Sequence, residues 1–249
     1  MHKKLYLLFT AAVLFMAGCS SSVDKTTMGP EERFNYAKAY YDDESYFEAA
    51  AEFESFILQY PGSVYADDAQ YYLGMSRYHR GEYLLGAYEF SKLIRNTPTS
   101  EFVPECQFML ADCYYELSPH YSLDQKYTEK AIEEFQAFID FFPLDKRVDD
   151  AEKKIKELNE KLALKSYEDG LIYEKMEYYT AALKYYTLVT EIYHDTRYAP
   201  MASYRKIVIL NDKGRNNEAL KEIDNFLSKY KDDSNYSSVE RLKTAINNQ

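Results

Sequence analysis

The chain has 249 residues, 46% hydrophobic and 29% charged, with a net charge of −11. Eight glycines, seven prolines and 27 tyrosines without a tryptophan leave few turn breakers, which argues for an all-helical fold with a sizeable core. The negative balance speaks against a nucleic-acid footprint.

The chain starts with MHKK and a 13-residue apolar run, Leu5 to Ala17. That run is too short to span a bilayer, which takes roughly 20 residues, and suits the apolar region of a signal peptide. Met16-Ala17-Gly18-Cys19-Ser20 follows and resembles the lipobox of bacterial lipoproteins, with Met16 where the pattern prefers Leu. The resemblance implies cleavage after residue 18 and lipidation of Cys19, and Ser20 implies sorting to the outer membrane. An ordinary secretory signal with a chance cysteine is the alternative. Cleavage removes Lys3 and Lys4 and takes the net charge to −13. Ser20 to Gly29 is polar and reads as a flexible tether, so that residues 19–29 form a lipidated lead-in. Gly29-Pro30-Glu31-Glu32 then reads as a helix start, with proline early and acids in the first turn.

From Pro30 the apolar residues recur every three or four positions, the helical period. Tyr65 to Pro98 carries two such segments broken at Arg80-Gly81, with Gly74 and Gly86 placed where packed helices approach closely. A step of 37 residues repeats the unit, aligning Gly86 with Ala49, Phe90 with Phe53, Leu93 with Phe56 and Pro98 with Pro61. Repeat three has Leu110, Tyr114, Ala131, Phe135, Phe138 and Pro143, and its proline falls eight residues late because Ser118 to Gln125 is an inserted loop. From Ala131 to Ala182 the step is 51, or 14 extra residues. Ile155, Leu158 and Leu162 share a face in that stretch, which predicts one long helix from about Val148 to Met176. Repeat five returns to 37 with Ala219, Ile223 and Phe226, and Ser237 to Asn247 reads as a terminal cap. Residues 30–147 therefore hold three helix pairs, and 148–249 hold the long helix, two pairs and the cap.

These positions resemble the tetratricopeptide repeat (TPR), with small residues at the helix contact and proline after the second helix. The resemblance implies an all-α, right-handed superhelix with a concave groove lined by the first helix of each pair. Its groove positions map onto Phe34, Tyr71 and Phe108, and onto Tyr41, Tyr78 and Tyr115, each 37 apart, with Lys38, Met75 and Asp112 between them. Repeat four keeps Tyr167. An open ladder of this kind suits an extended chain with apolar side chains. The alternative is that the same rows pack between successive first helices.

Candidate chemistry is thin. Cys106 and Cys113 lie about 10 Å apart along one helix axis, and they align with Ala69 and Ser76, so small-residue packing accounts for them. His120 falls beyond that helix, and His79 and His194 have no acid-base neighbours. No phosphate loop, nucleophile elbow or metal-ligand spacing is present, so neither an enzyme, a metal nor a cofactor is expected. Ten acidic residues between Glu31 and Asp68 face only Arg33 and Lys38 and suit a basic partner surface or a solvated face, whereas the long helix is rich in lysine.

Lipobox, short lead-in and five TPR-like pairs together resemble the BamD family, TPR lipoproteins of the outer-membrane β-barrel assembly machinery. The LIRNTPTS segment, the SPHYSLDQ insertion and the long helix match as well. The resemblance implies a non-catalytic subunit on the periplasmic face of the outer membrane. Its C-terminal half would bind the periplasmic domains of the barrel-forming assembly subunit. Its first three repeats would offer unfolded outer-membrane precursors a groove lined by Phe34, Tyr41, Tyr71, Met75, Tyr78, Phe108 and Tyr115. Another envelope TPR adaptor, for peptidoglycan or secretion machinery, and a glycan-uptake lipoprotein are the competing readings.

Overall fold

A computed structural model describes residues 25–248. Cys19 and the expected signal peptide lie outside the described residues. Within them the chain forms eleven α-helices: α1 (Pro30–Asp42), α2 (Tyr46–Gln59), α3 (Ala66–His79), α4 (Tyr83–Asn96), α5 (Val103–Leu117), α6 (Lys126–Phe141), α7 (Val148–Lys175), α8 (Tyr179–Ile192), α9 (Tyr198–Asp212), α10 (Asn216–Lys229) and α11 (Tyr236–Asn247). Each helix packs on the next, giving five antiparallel pairs closed by α11. The all-α, TPR-like array holds, and the long helix spans 28 residues.

One core position recurs through the stack. Phe53, Phe90, Phe135, Tyr186 and Ile223 come from the second helices, and all are fully buried. The first helix makes room for them. A Cβ on Gly74 would sit 2.6 Å from the Phe90 ring, and one on Gly170 would sit 2.5 Å from the Tyr186 ring. Glycine there lets the helices approach closely. The turns inside pairs one, two, four and five use a left-handed residue at matching places, Glu44, Gly81, Glu177 and Gly214. In pair three the loop 118–125 takes that place, pinned by Gln125, whose Nε2 donates to the carbonyls of His120 and Leu123 at 3.0 Å.

The lead-in differs from the tether expected through Gly29. Lys25–Thr27 forms a 3-10 turn, and Met28 is buried against the first pair. The Tyr60 hydroxyl donates to the Met28 carbonyl at 2.7 Å, and Lys25 pairs with Glu52. The polar composition of this stretch hides the one apolar residue that docks it.

Candidate interaction surfaces

The aromatic rows meet along the joints between repeats. In the first row, each ring faces a residue at the start of the next repeat's first helix. Phe34 stacks on Tyr65 at 5.2 Å and Tyr71 on Phe102 at 4.5 Å. Phe108 lies under the Arg147 guanidinium at 5.4 Å, and Tyr167 contacts Tyr198 at 5.9 Å. Helices α3, α5 and α7 thus begin with a large side chain (Tyr65, Phe102, Arg147) that clamps the preceding pair, and none has a side-chain cap. Phe34 and Phe108 are buried inside the stack, each packed on two phenylalanines of its own second helix. This is a correction to their assignment to a groove. A first helix turns one face both inward and toward the next repeat, so helical spacing alone cannot separate the two.

The second row stays half-buried. Tyr41 meets Tyr72 edge-on at 4.9 Å, while Tyr78 donates to Asp112 and Tyr115 to Glu157, both at 2.7 Å. Lys154 of the long helix pairs with Asp112 and lies 4.3 Å over the Tyr115 ring, joining α3, α5 and α7 in one network. Burial, with the Asp112 hydrogen bond second, pushes the Tyr78 phenol up. The bond to Glu157, then burial, raises Tyr115 to about 12. Burial takes Tyr41 to about 12 and also raises Tyr71. All four remain neutral phenols at physiological pH. Tyr41, Tyr71, Met75, Tyr78 and Tyr115 keep partly exposed surface.

A different surface appears on repeat four, and the 37-residue step exposes it. Three residues after each alanine or glycine contact, repeats one, two, three and five carry Glu52, Glu89, Glu134 and Glu222. Each is held by the first helix of its own pair: Arg33 pairs with Glu52, Gln70 donates to Glu89, Gln107 donates to Glu134 at 2.8 Å, and Ser203 donates to Glu222 at 2.6 Å. Repeat four has Tyr185 there, opposite Ser166, and Tyr185 stacks on Tyr173 at 5.3 Å. Leu188 and Ile192 continue the same face of α8 where repeats one, two and five carry Ser, Lys, Asn or Gln. Leu188 is 40% and Ile192 61% exposed. Ala181, Tyr185, Leu188 and Ile192 form an apolar stripe at helical spacing beside a cavity of about 600 Å³. A further cavity of about 810 Å³ opens at the start of α8 and is lined by Tyr178, Tyr179 and Leu183. An outward apolar stripe that the pair's own packing does not require marks a contact surface.

Cys106 and Cys113 are fully buried free thiols, pushed up by burial, in keeping with their packing role. Among the described residues no three His, Cys, Asp or Glu side chains group to hold a metal, and no helix is long and apolar enough to cross a membrane.

Helix pairs at a 37-residue step, clamped joint to joint, define a TPR-like repeat protein. Residues 26–223 match the YfiO family, described as outer membrane lipoprotein, and the chain belongs to that family, the BamD family. It is similar to the outer membrane protein assembly factor BamD of Rickettsia prowazekii, 26% identical over 92% of both chains. It is similar also to that of Caulobacter vibrioides, 26% identical over 84% of this chain and 71% of that one. Among solved structures, a tetratricopeptide repeat protein from Parabacteroides merdae covers 87% of this chain and 72% of its own at 13% identity, with a TM-score of 0.38.

Proposed function

We propose that this chain is a non-catalytic adaptor in outer-membrane protein assembly, held on the periplasmic face of the outer membrane by lipid on Cys19. Its C-terminal half docks on the periplasmic domains of the barrel-forming assembly subunit. Its first three repeats receive unfolded outer-membrane precursors along the half-exposed row Tyr41, Tyr71, Met75, Tyr78 and Tyr115. Family membership and its similarity to outer membrane protein assembly factors support this reading. The observation that carries it is the apolar stripe on α8, the one second helix whose intra-pair glutamate is replaced by an aromatic residue.

The test uses the mature chain carrying Leu188→Asp and Ile192→Asp. Both side chains already meet solvent, so the melting temperature stays within a few degrees of wild type. Affinity for the immobilised periplasmic domains of the barrel-forming subunit falls at least about tenfold, because a central apolar contact is replaced by buried charge. Unchanged affinity refutes docking through the C-terminal half.

A further inference from the structure

The two edges of the stack differ. Helices alternate in direction, so the connections between successive pairs fall at one edge and the turns within pairs at the other. Among the described residues the four most exposed large apolar side chains are Leu144 at 98%, Val64 at 83%, Leu58 at 80% and Phe141 at 74%, and all four lie at the edge of the connections. Leu58 and Val64 flank Tyr60 at the end of pair one, and Phe141 and Leu144 close pair three. None of the four belongs to the apolar clusters of the stack. The lead-in docks beside the first patch: Tyr60 donates to the Met28 carbonyl, and Lys25, which pairs with Glu52, lies 5.0 Å over the Tyr36 ring. Cys19 stands six residues before Lys25. A stretch of that length reaches at most about 20 Å, so lipid on Cys19 holds pair one within that distance of the membrane.

We propose that the edge of the connections rests on the membrane surface, with Leu58, Val64, Phe141 and Leu144 entering the headgroup region. The inference rests on the lipid anchor proposed above and adds a second contact to it. Lipid on one residue fixes a point, about which the stack could swivel. Apolar side chains on pairs one and three fix a line, and the turns within pairs, with Leu84 and Leu123, then face away from the bilayer. The edge also carries carboxylates: Asp67 and Asp68 follow Val64, and Asp149 and Asp150 follow Leu144. Anionic headgroups repel them, so the surface that fits is zwitterionic, and apolar burial supplies the contact instead of charge.

The experiment reconstitutes the full lipidated chain in phosphatidylethanolamine–phosphatidylcholine vesicles with a fluorophore on one introduced thiol. Val64→Cys and Leu144→Cys report on the proposed edge, Leu84→Cys and Leu123→Cys on the opposite one. All four side chains already meet solvent, so the fold is kept, and the buried thiols of Cys106 and Cys113 do not take the label. The same labels on the lipid-free Cys19→Ser chain give the reference. Anchoring lowers acrylamide quenching about threefold at positions 64 and 144 and leaves positions 84 and 123 unchanged. A chain that floats with the vesicles while all four labels stay equally open refutes the membrane-facing edge and leaves the anchor standing. A chain that does not float removes the anchor, and this proposal with it. Protection at position 64 alone overturns the proposal too, since nearness to the anchor accounts for it. So do protection of the lipid-free chain at rising concentration, which puts a second copy on the edge, and protection that grows with added phosphatidylglycerol, which moves the contact to the lysine-rich long helix.

Discussion

Gly170→Ala tests the contact that fixes α8 against α7. The added Cβ would sit 2.5 Å from Cε1 and 2.8 Å from Cδ1 of Tyr186, whereas ordinary contact begins near 3.4 Å. The ring must therefore retreat by almost an ångström, and it has little room to do so. Tyr186 is fully buried, 5.8 Å from the Tyr167 ring, and its hydroxyl donates to Glu174 at 2.6 Å. Glu174 is in turn held by Arg205 at 3.2 Å. Overpacking of this kind costs about 1–3 kcal/mol, and weakening a hydrogen bond to a carboxylate adds about 1 kcal/mol. Replacing glycine within a helix returns about 1 kcal/mol. The net loss is about 1–3 kcal/mol, which at roughly 2–4 °C per kcal/mol lowers the melting temperature by about 2–12 °C. Circular dichroism of the mature chain measures it. Gly74→Ala, whose Cβ would meet Phe90 at 2.6 Å, serves as the companion variant. It destabilises repeat two by a similar amount but leaves α8 in place, so only Gly170→Ala also weakens docking. A Gly170→Ala protein that melts at or above wild type refutes the close-approach argument.

Tyr78→Ala combined with Tyr115→Ala weakens binding of an unfolded precursor peptide about tenfold with helicity retained, and titration of a labelled peptide measures it; unchanged affinity counts against the N-terminal groove. Tyr78→Phe with Tyr115→Phe keeps the rings and loses only the bonds to Asp112 and Glu157, so near-normal binding there assigns the effect to the aromatic surface. Asp145 accepts three hydrogen bonds from Arg147, which hold its carboxyl down from 3.8 to about 2. Because the folded value is depressed, its contribution is complete above the ordinary carboxylate range and is lost as pH falls through about 2. Asp145→Asn is therefore slightly less stable at pH 7, by a few tenths to about 1 kcal/mol for a pair that solvent reaches, and the gap to wild type narrows from about pH 4 and closes below pH 2. A gap undiminished at pH 2 refutes the carboxylate as its source.

Much of the stack was legible because a fixed step of 37 residues leaves little freedom. The 14 extra residues before repeat four translate into the long helix Val148–Lys175, and the eight extra in repeat three into the loop 118–125. Gly74 beneath Phe90 follows from one small residue in the alignment. The aromatic rows were harder, since Phe34 and Tyr41 sit on one helix face that serves both the inner curve and the joint with the next repeat. Their partners, Tyr65 and Tyr72, lie too far along the chain for helical spacing to pair them. The stripe on α8 is present in the sequence, but an outward apolar face at helical spacing looks the same as a core face within one helix. It emerges when the glutamates at 52, 89, 134 and 222 are read as one column and Tyr185 as its exception.

The long helix explains how one chain supports two surfaces. Val148, Ala151, Ile155 and Leu158 complete the core of repeats two and three, as a capping helix would. Ala163 and Tyr167 open the next core with α8. Between them the helix is tied sideways by polar contacts, Glu157 to Tyr115, Lys161 to Ser118 at 2.7 Å, and Glu160 to the Arg197 backbone N–H at 3.1 Å. Each half of the molecule thus has two apolar clusters of its own, and the halves share the long helix instead of a common interior. Repeat four could exchange its glutamate clip for an outward apolar stripe because the loss is confined to one pair, whose fold Tyr186 and Gly170 secure from within. A client held on the first three repeats and a partner docked on α8 would then be set at a fixed spacing by 28 residues of helix, about 42 Å end to end.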